Sequence, residues 1–288
     1  MNNTFYDKKL SRFINTNVLT KIKRVLHNFH RKIYIRYLRF TKTHKIVEAK
    51  LFTNQKMKVA LPDYISEAVY VYSYFEPKET KAFIRILKDN DVFIDIGAHI
   101  GYYSLLATYF SANSKTFAIE PTPSSYQILK DNVYPYGQIK PLNIGLYSSE
   151  GNMILNDFGL RYMCLNSFSE ARLSQKLESK KVNVTVITID KLVKKEKIIP
   201  TVIKIDAESS ELEIINGGEN TLRNNNMVLF VEVGDFANLG FSSSLKIINR
   251  LEEFGYEAFE FENVFKKHKK LSIAYPSMSL FFFKSNEA

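Results

Sequence analysis

The stretch Val92–Gly101, VFIDIGAHIG, joins a carboxylate to two glycines at a spacing suited to holding a nucleotide-like ligand. Asp95 sits in a short apolar run with Val92, Phe93, Ile94 and Ile96, the composition that a parallel strand buried on both faces requires. Gly97 and Gly101 lack a Cβ. The turn containing them, with Ala98 and His99 between, is therefore predicted to bring backbone N–H groups close to a bound molecule before a helix starts at Tyr102. A second acid, Glu120, closes the next apolar run, KTFAIE, about 25 residues beyond Asp95, the distance at which a ribose-binding carboxylate is expected. Asp206 (PTVIKID) and Glu232 (VLFVEV) end two later runs. Both are predicted at strand carboxyl ends, where doubly wound sheets bind ligands. Asp206, then Glu232, then His99, whose ring titrates near neutrality, are the candidates there for a group that takes up a proton.

The glycine order does not match the G-x-G-x-x-G of a nicotinamide-binding turn, because the middle glycine that admits a pyrophosphate is missing. The order Asp95-x-Gly97-x-x-x-Gly101 resembles motif I of the S-adenosylmethionine-dependent methyltransferases. The resemblance narrows to FkbM-type methyltransferases over IDIGAHIGYYSLLA, FAIEPTPSSYQILKDNV, VIKIDAESSELEIINGGENTL and VLFVEV. That family usually carries asparagine where this chain has His99 and glycine where it has Ser209. The resemblance implies S-adenosyl-L-methionine as cofactor. It also implies a contact of Glu76 with the methionine part, of Asn143 with adenine, and of Asp206 beside the reactive sulfonium. Each has a plainer reading as well: Glu76 precedes Pro77 and could be an N-terminal helix charge, and Asn143 could simply end a strand.

The implied fold is α/β, a Rossmann-like methyltransferase fold. It has a mostly parallel seven-stranded sheet whose last strand is antiparallel, helices on both faces, an N-terminal helical arm and a β insertion. Along the chain, extended pieces are expected at Leu51–Phe52, Lys56–Leu61 and Ala68–Phe75, and a helix at Lys78–Lys88. The core then alternates strand Val92–Ile96, helix Tyr102–Phe110, strand Lys115–Glu120, helix Pro123–Val133 and strand Ile139–Asn143. Residues 146–188 break the alternation, with Asn152–Asp157, Tyr162–Asn166 and Val182–Thr188 as insertion strands and Ser167–Ser179 as a polar connection. Arg161, Tyr162 and Asn166 are acceptor-site candidates there, since loops carry specificity on a fixed scaffold; an exposed structural hairpin is the competing reading. The core resumes with strand Pro200–Asp206, helix Ser210–Arg223 with Ser210 and Glu213 as a capping box, and strand Met227–Glu232. Helix Ser242–Phe254 and strands Tyr256–Glu262 and Ser279–Lys284 finish it.

Charge divides the chain into two parts. Of 40 Lys and Arg, thirteen lie in residues 1–50 with only two acids, a local balance of +11, so residues 51–288 carry −1 of the total +10. Residues 1–50 are read as a basic arm and 51–288 as the catalytic domain. Val18, Ile22, Val25, Phe29, Ile33 and Tyr37 recur at helical spacing, and Lys21, Lys23, Arg24, Arg31, Lys32, Arg36 and Arg39 surround them. This pattern suits either an accessory helix packed on the domain or peripheral contact of residues 18–40 with an anionic membrane or carrier. No zinc finger or stacking-aromatic motif supports nucleic acid. Cys164, the single cysteine, excludes an intramolecular disulfide and a cysteine zinc cluster. No run of eighteen apolar residues exists to span a bilayer and the first residues lack a signal-like apolar core, so a cytoplasmic protein is expected, with the inner membrane face as a place of peripheral contact.

Because the methyl donor brings its own electrophile, the chemistry needs alignment and a base more than covalent catalysis. The expected activity is O-methylation of a sugar hydroxyl in a surface glycan or its precursor. The competing readings are a non-catalytic S-adenosylmethionine-binding module working through its basic helix and a nucleotide-dependent oxidoreductase. Asp206 and Glu232 could share a hard cation such as Mg²⁺. Acids at strand ends are common, and no metal is assigned.

Overall fold

The computed structural model describes residues 18–168, 178–235, 243–271 and 274–284. Helix α1 (Val18–Phe40) leads into an antiparallel pair, β1 (Lys45–Lys50) and β2 (Lys56–Leu61). Helices α2 (Tyr64–Tyr72) and α3 (Pro77–Ile86) follow, then β3 (Val92–Ile96), α4 (Tyr102–Phe110), β4 (Lys115–Ile119), α5 (Pro123–Val133) and β5 (Ile139–Leu142). A small sheet is formed by β6 (Gly145–Leu146), β7 (Gly151–Asp157) and β8 (Lys180–Ile187). Then come α6 (Ile189–Glu196), β9 (Val202–Ile205), α7 (Glu211–Asn216), α8 (Glu219–Asn224), β10 (Val228–Val233), α9 (Ser243–Glu253), β11 (Tyr256–Phe261), β12 (Phe265–Lys267) and β13 (Met278–Lys284).

The main sheet has the order β12-β11-β13-β10-β9-β3-β4-β5. From β10 to β5 all pairings are parallel, and β13 is inserted antiparallel between β10 and β11. The expected seven strands are present with an antiparallel last strand. An eighth, β12, pairs with β11 at the edge and carries only three residues. Period-two alternation sends Phe93, Ala118, Val202 and Phe230 to a layer shared with α3, α4 and α5, and Ile94, Ile96, Ile203, Ile205 and Val231 to a layer under α6 to α9. Both faces are covered, so the carboxyl edge of the parallel strands is the natural opening for a ligand.

Several local expectations give way to the structure. Ala68–Phe75 was expected to be extended on its Val-Tyr alternation, yet residues 64–72 are helical. Asp63 caps that helix by accepting from Ser66 N at 3.2 Å, and Ser73 closes it at φ 68°. Tyr162–Asn166 is no strand; Met163–Leu165 form one 3₁₀ turn. Ser210–Arg223 is two short helices parted at Gly217-Gly218, where a Cβ on Gly217 would meet the Tyr147 carbonyl oxygen at 2.1 Å. The capping box at Ser210 does not form, since Ser210 makes no side-chain cap bond. Most of the polar connection Ser167–Ser179 lies outside the described residues.

In α1 the docked face is not the one the spacing suggests. Ile35 and Leu38 are buried against Leu61 and Val71, while Phe29, Ile33 and Tyr37 are exposed. The helix needs only a narrow stripe to sit on α2 and β2, and Arg31 reinforces it from above the Tyr70 ring.

Candidate active site

Three acids end strands of one sheet and face one cleft: Glu120 after β4, Asp206 after β9 and Glu232 within β10. The cleft has a volume of about 280 Å³. Its floor includes Gly97, His99, Gly145 and Leu146, and Glu76 borders it at the start of α3. Tyr64 and Ile65 of α2, with Met163, Cys164, Asn166, Ser167 and Phe168, form the opposite wall. Buried Asp63 ties those two wall segments together by accepting from Ser66 N and from Cys164 N at 3.0 Å.

Glu120 is buried, and each of its oxygens holds one backbone N–H: Oε1 that of Thr122 at 2.9 Å and Oε2 that of His99 at 3.0 Å. Burial pushes its carboxyl up to about 7, against these bonds. Glu76 is likewise pushed up to about 7, by burial and by the charge of Asp206. It takes φ 40° and accepts a hydrogen bond from Tyr103 Oη at 3.0 Å. It makes no side-chain bond to the helix it precedes, but it stands at that helix's N-cap, so the reading as an N-terminal helix charge remains beside the cofactor reading.

The glycine turn works differently from the expectation that its N–H groups face a ligand. Gly97 N and Ala98 N both donate to the Ile119 carbonyl, and Gly101 N donates to Ala98 O. Gly97 has φ 76°, and a Cβ there would sit 1.8 Å from the Asp206 carbonyl oxygen, so this glycine is what lets β3 and the end of β9 approach. Asp95 lies beneath the turn and outside the cleft lining, accepting from Ser104 Oγ at 2.6 Å.

Lys204, which sequence reasoning passed over, is the centre of the electrostatics. It is 2 % exposed on β9, its Nζ lies 2.6 Å from Asp206 Oδ2, and the Tyr103 and Phe230 rings flank it. Burial works against its charge, but Asp206 and Asp95 hold the ammonium protonated. Burial likewise pushes Asp206 up, yet Lys204 and a hydrogen bond shared with Glu232 bring it below the usual carboxylate range. Glu232 is raised well above its ordinary value by burial and by Asp206, so the pair holds one proton near neutrality. A lone lysine inside the apolar run VIKI, two residues before an acid on the same strand face, is the sequence signal for such a pair. A third carboxylate, Glu208, brings one oxygen from each of Asp206, Glu208 and Glu232 within 4.8 Å of one another, a set able to hold a hard cation.

The remaining candidates separate by placement. His99 lines the cleft at φ 52° with both ring nitrogens buried and Nε2 3.8 Å from Asp63 Oδ2. Burial lowers its pKa, leaving a neutral ring. Asn166 lines the cleft and accepts from Phe158 N at 2.8 Å. Asn143 does not line it; its amide donates to the Glu120 and Pro121 carbonyls and so fixes the turn behind Glu120. Ala98, Gly101, Arg161 and Tyr162 also lie outside the lining, with Arg161 stacked 5.6 Å from the Tyr162 ring centre.

A family model described as the methyltransferase FkbM domain matches residues 95–258. The chain is similar to the hexuronic acid methyltransferase AglP of Haloferax volcanii, 29 % identical over 153 residues, 51 % of this chain and 59 % of that protein. It therefore spans about three-fifths of the length of this curated relative. Among solved structures, the methyltransferase FkbM of Methylobacillus flagellatus matches with 17 % identity and a TM-score of 0.48, over 75 % of this chain and 52 % of that one. The M. jannaschii TYW2 in complex with AdoMet matches with 13 % identity and a TM-score of 0.43, over 83 % of this chain and 86 % of that one.

Proposed function

The chain belongs to the FkbM methyltransferase family, and from that premise we propose that it methylates a hydroxyl oxygen of a sugar, a hexuronic acid or its like, in a surface glycan or glycan precursor. The observation that carries this reading is the convergence of Glu120, Asp206 and Glu232 on one cleft at the carboxyl edge of the sheet.

The methyl donor is S-adenosyl-L-methionine, which supplies an electrophilic methyl carbon when bound. The residues fit it: each oxygen of Glu120 has one backbone N–H and a lone pair left for a ribose hydroxyl. Glu76 is the carboxylate for the ammonium of the methionine part, and an ammonium there returns its raised pKa toward normal. Asn143 acts on the adenine side through the turn it fixes. Asp206, kept ionised by Lys204, would accept the hydrogen bond of the acceptor hydroxyl, orient its oxygen and take its proton as the methyl group passes from the sulfur, which leaves as the neutral thioether, to that oxygen. Glu232 donates to Asp206 and keeps that carboxylate in place. Of the acceptor candidates Asn166 lines the cleft, and Arg161 and Tyr162, outside that lining, are contacts for the part of the glycan beyond the reacting sugar. The protein works in the cytoplasm, with residues 18–40 as its contact to the inner membrane face; no helix among the described residues is long and apolar enough to cross a membrane.

The test is transfer of labelled methyl to hexuronic acid glycosides by wild type, Asp206→Asn and Glu232→Gln, with cofactor binding measured in parallel. Asp206→Asn is expected to lose about 10²- to 10⁴-fold in turnover while retaining cofactor. Unchanged turnover removes Asp206 from the mechanism. Cofactor binding by wild type with no transfer to any sugar hydroxyl favours a binding module.

A further inference from the structure

Helix α1 presents an apolar stripe on the side away from the domain. Phe29, Ile33, Tyr37 and Phe40 are 59, 48, 59 and 87 % exposed. At about 100° per residue they fall within an arc of roughly 80°. The docked residues Ile35 and Leu38 lie on the opposite side of the helix. Exposed Arg36 and Lys32 run along one edge of the stripe, and exposed Lys42 and Lys45 follow its end. Scattered apolar side chains on a surface are ordinary, but four in register on one helix face, edged by cations, form an interfacial surface.

We propose that this stripe docks on an anionic lipid surface, with Phe29, Ile33, Tyr37 and Phe40 entering the headgroup boundary and the cationic edge meeting lipid phosphates. The charge of the chain supports this occupant, since residues 1–50 carry +11 against −1 for the rest. A second copy seated on the same stripe would bring two basic edges together, which opposes self-association. The inference deepens the membrane-face part of the proposed function and rests on it for its purpose. Helix α1 packs on α2 through Tyr70 and Val71, and α2 supplies Tyr64 and Ile65 to the cleft wall. A docked α1 therefore sets the cleft one helix away from the lipid, within reach of a membrane-borne glycan precursor.

The experiment is flotation of the full chain with vesicles of phosphatidylcholine alone or of phosphatidylcholine and phosphatidylglycerol in equal parts, at low and high salt, for wild type, Ile33→Glu and Arg36→Glu. Wild type is expected to float with the anionic vesicles and be released by salt, and each substitution is expected to lower the bound fraction by about tenfold or more. Both side chains are exposed, so retained cofactor binding in lipid-free solution serves as the control for folding. No flotation, equal flotation with neutral vesicles, or a solution dimer that Ile33→Glu disperses overturns the proposal. Cofactor binding and transfer to a soluble sugar are read without lipid, so failure of the methyltransferase reading would be seen separately.

Discussion

Replacing Glu120 by glutamine is expected to remove a loss of stability that the unliganded protein suffers as pH rises, while weakening its hold on the cofactor. Glu120 titrates at about 7 in the fold against 4.5 ordinarily, because its carboxylate is buried. A raised carboxyl means that the folded state binds more protons than the unfolded chain between pH 4.5 and 7. The stability tied to it is fully present below pH 4.5 and is lost as pH rises through about 7. At 1.36 kcal/mol per pH unit across that window, the ionised side chain costs the fold about 3 kcal/mol at pH 8. Glutamine is neutral like the protonated carboxyl, but only its oxygen can accept, so its NH2 meets one of the Thr122 and His99 N–H groups donor to donor, at a cost of about 1–3 kcal/mol at every pH. Glu120→Gln should therefore lie below wild type near pH 5 and gain on it by about 2–3 kcal/mol between pH 5 and pH 8, a relative shift of roughly 4–8 °C in melting temperature for a domain of this size. The same substitution removes the charge that ribose hydroxyls would bind, and cofactor affinity should fall at least about tenfold. Thermal melts from pH 5 to 8, with calorimetric titration of S-adenosylhomocysteine at pH 8, check both halves. A variant whose stability relative to wild type does not rise between pH 5 and pH 8, or one that binds cofactor unchanged, refutes the reasoning.

Lys204→Met takes the ammonium from between Asp206 and Asp95. Breaking a buried pair typically costs about 3–5 kcal/mol, with the lower end expected here because the Asp206 side chain is 30 % exposed. Without Lys204 the pKa of Asp206 rises, so the acid limb of the pH–rate profile should move to higher pH; a limb that stays in place refutes the pairing. Ser209 holds φ 79°, a conformation in which a Cβ is strained, so Ser209→Gly should gain about 1 kcal/mol, read as a higher denaturation midpoint with unchanged slope.

The parallel core was legible because β3, β4, β9 and β10 are short apolar runs ended by a glycine, an acid or a turn, and because α4 and α5 have clear flanks. Val92–Ile96, Tyr102–Phe110 and Pro123–Val133 stand where their residues imply. The failures came where tertiary contact outranks local pattern. The alternation in AVYVYSYF reads as a strand, yet one Asp63 cap and burial of Val69 and Val71 settle it as helix. Gly217-Gly218 interrupts an otherwise helical pattern because the Tyr147 backbone passes too close for a side chain. The helix α6 and the edge strand β12 are too short for periodicity to mark them. In the site, the acids could be found one strand end at a time. The wall from α2 and Met163–Phe168 could not, since nothing in sequence spacing joins Asp63 to Cys164 across 101 residues. Glu211, at the start of α7, accepts from Ala207 N and Ser209 N and so fixes the loop behind Asp206, a role that spacing does not show.

In the proposed mechanism one cleft holds the methyl donor with its ribose on Glu120 and its sulfur toward Asp206. A crystal structure with S-adenosylhomocysteine tests it most directly. Both ribose hydroxyls should lie within hydrogen-bond distance of the Glu120 carboxylate, with the sulfur on the Asp206–Glu232 side of the cleft. A nucleoside bound with its ribose away from Glu120, or bound outside this cleft, would contradict it.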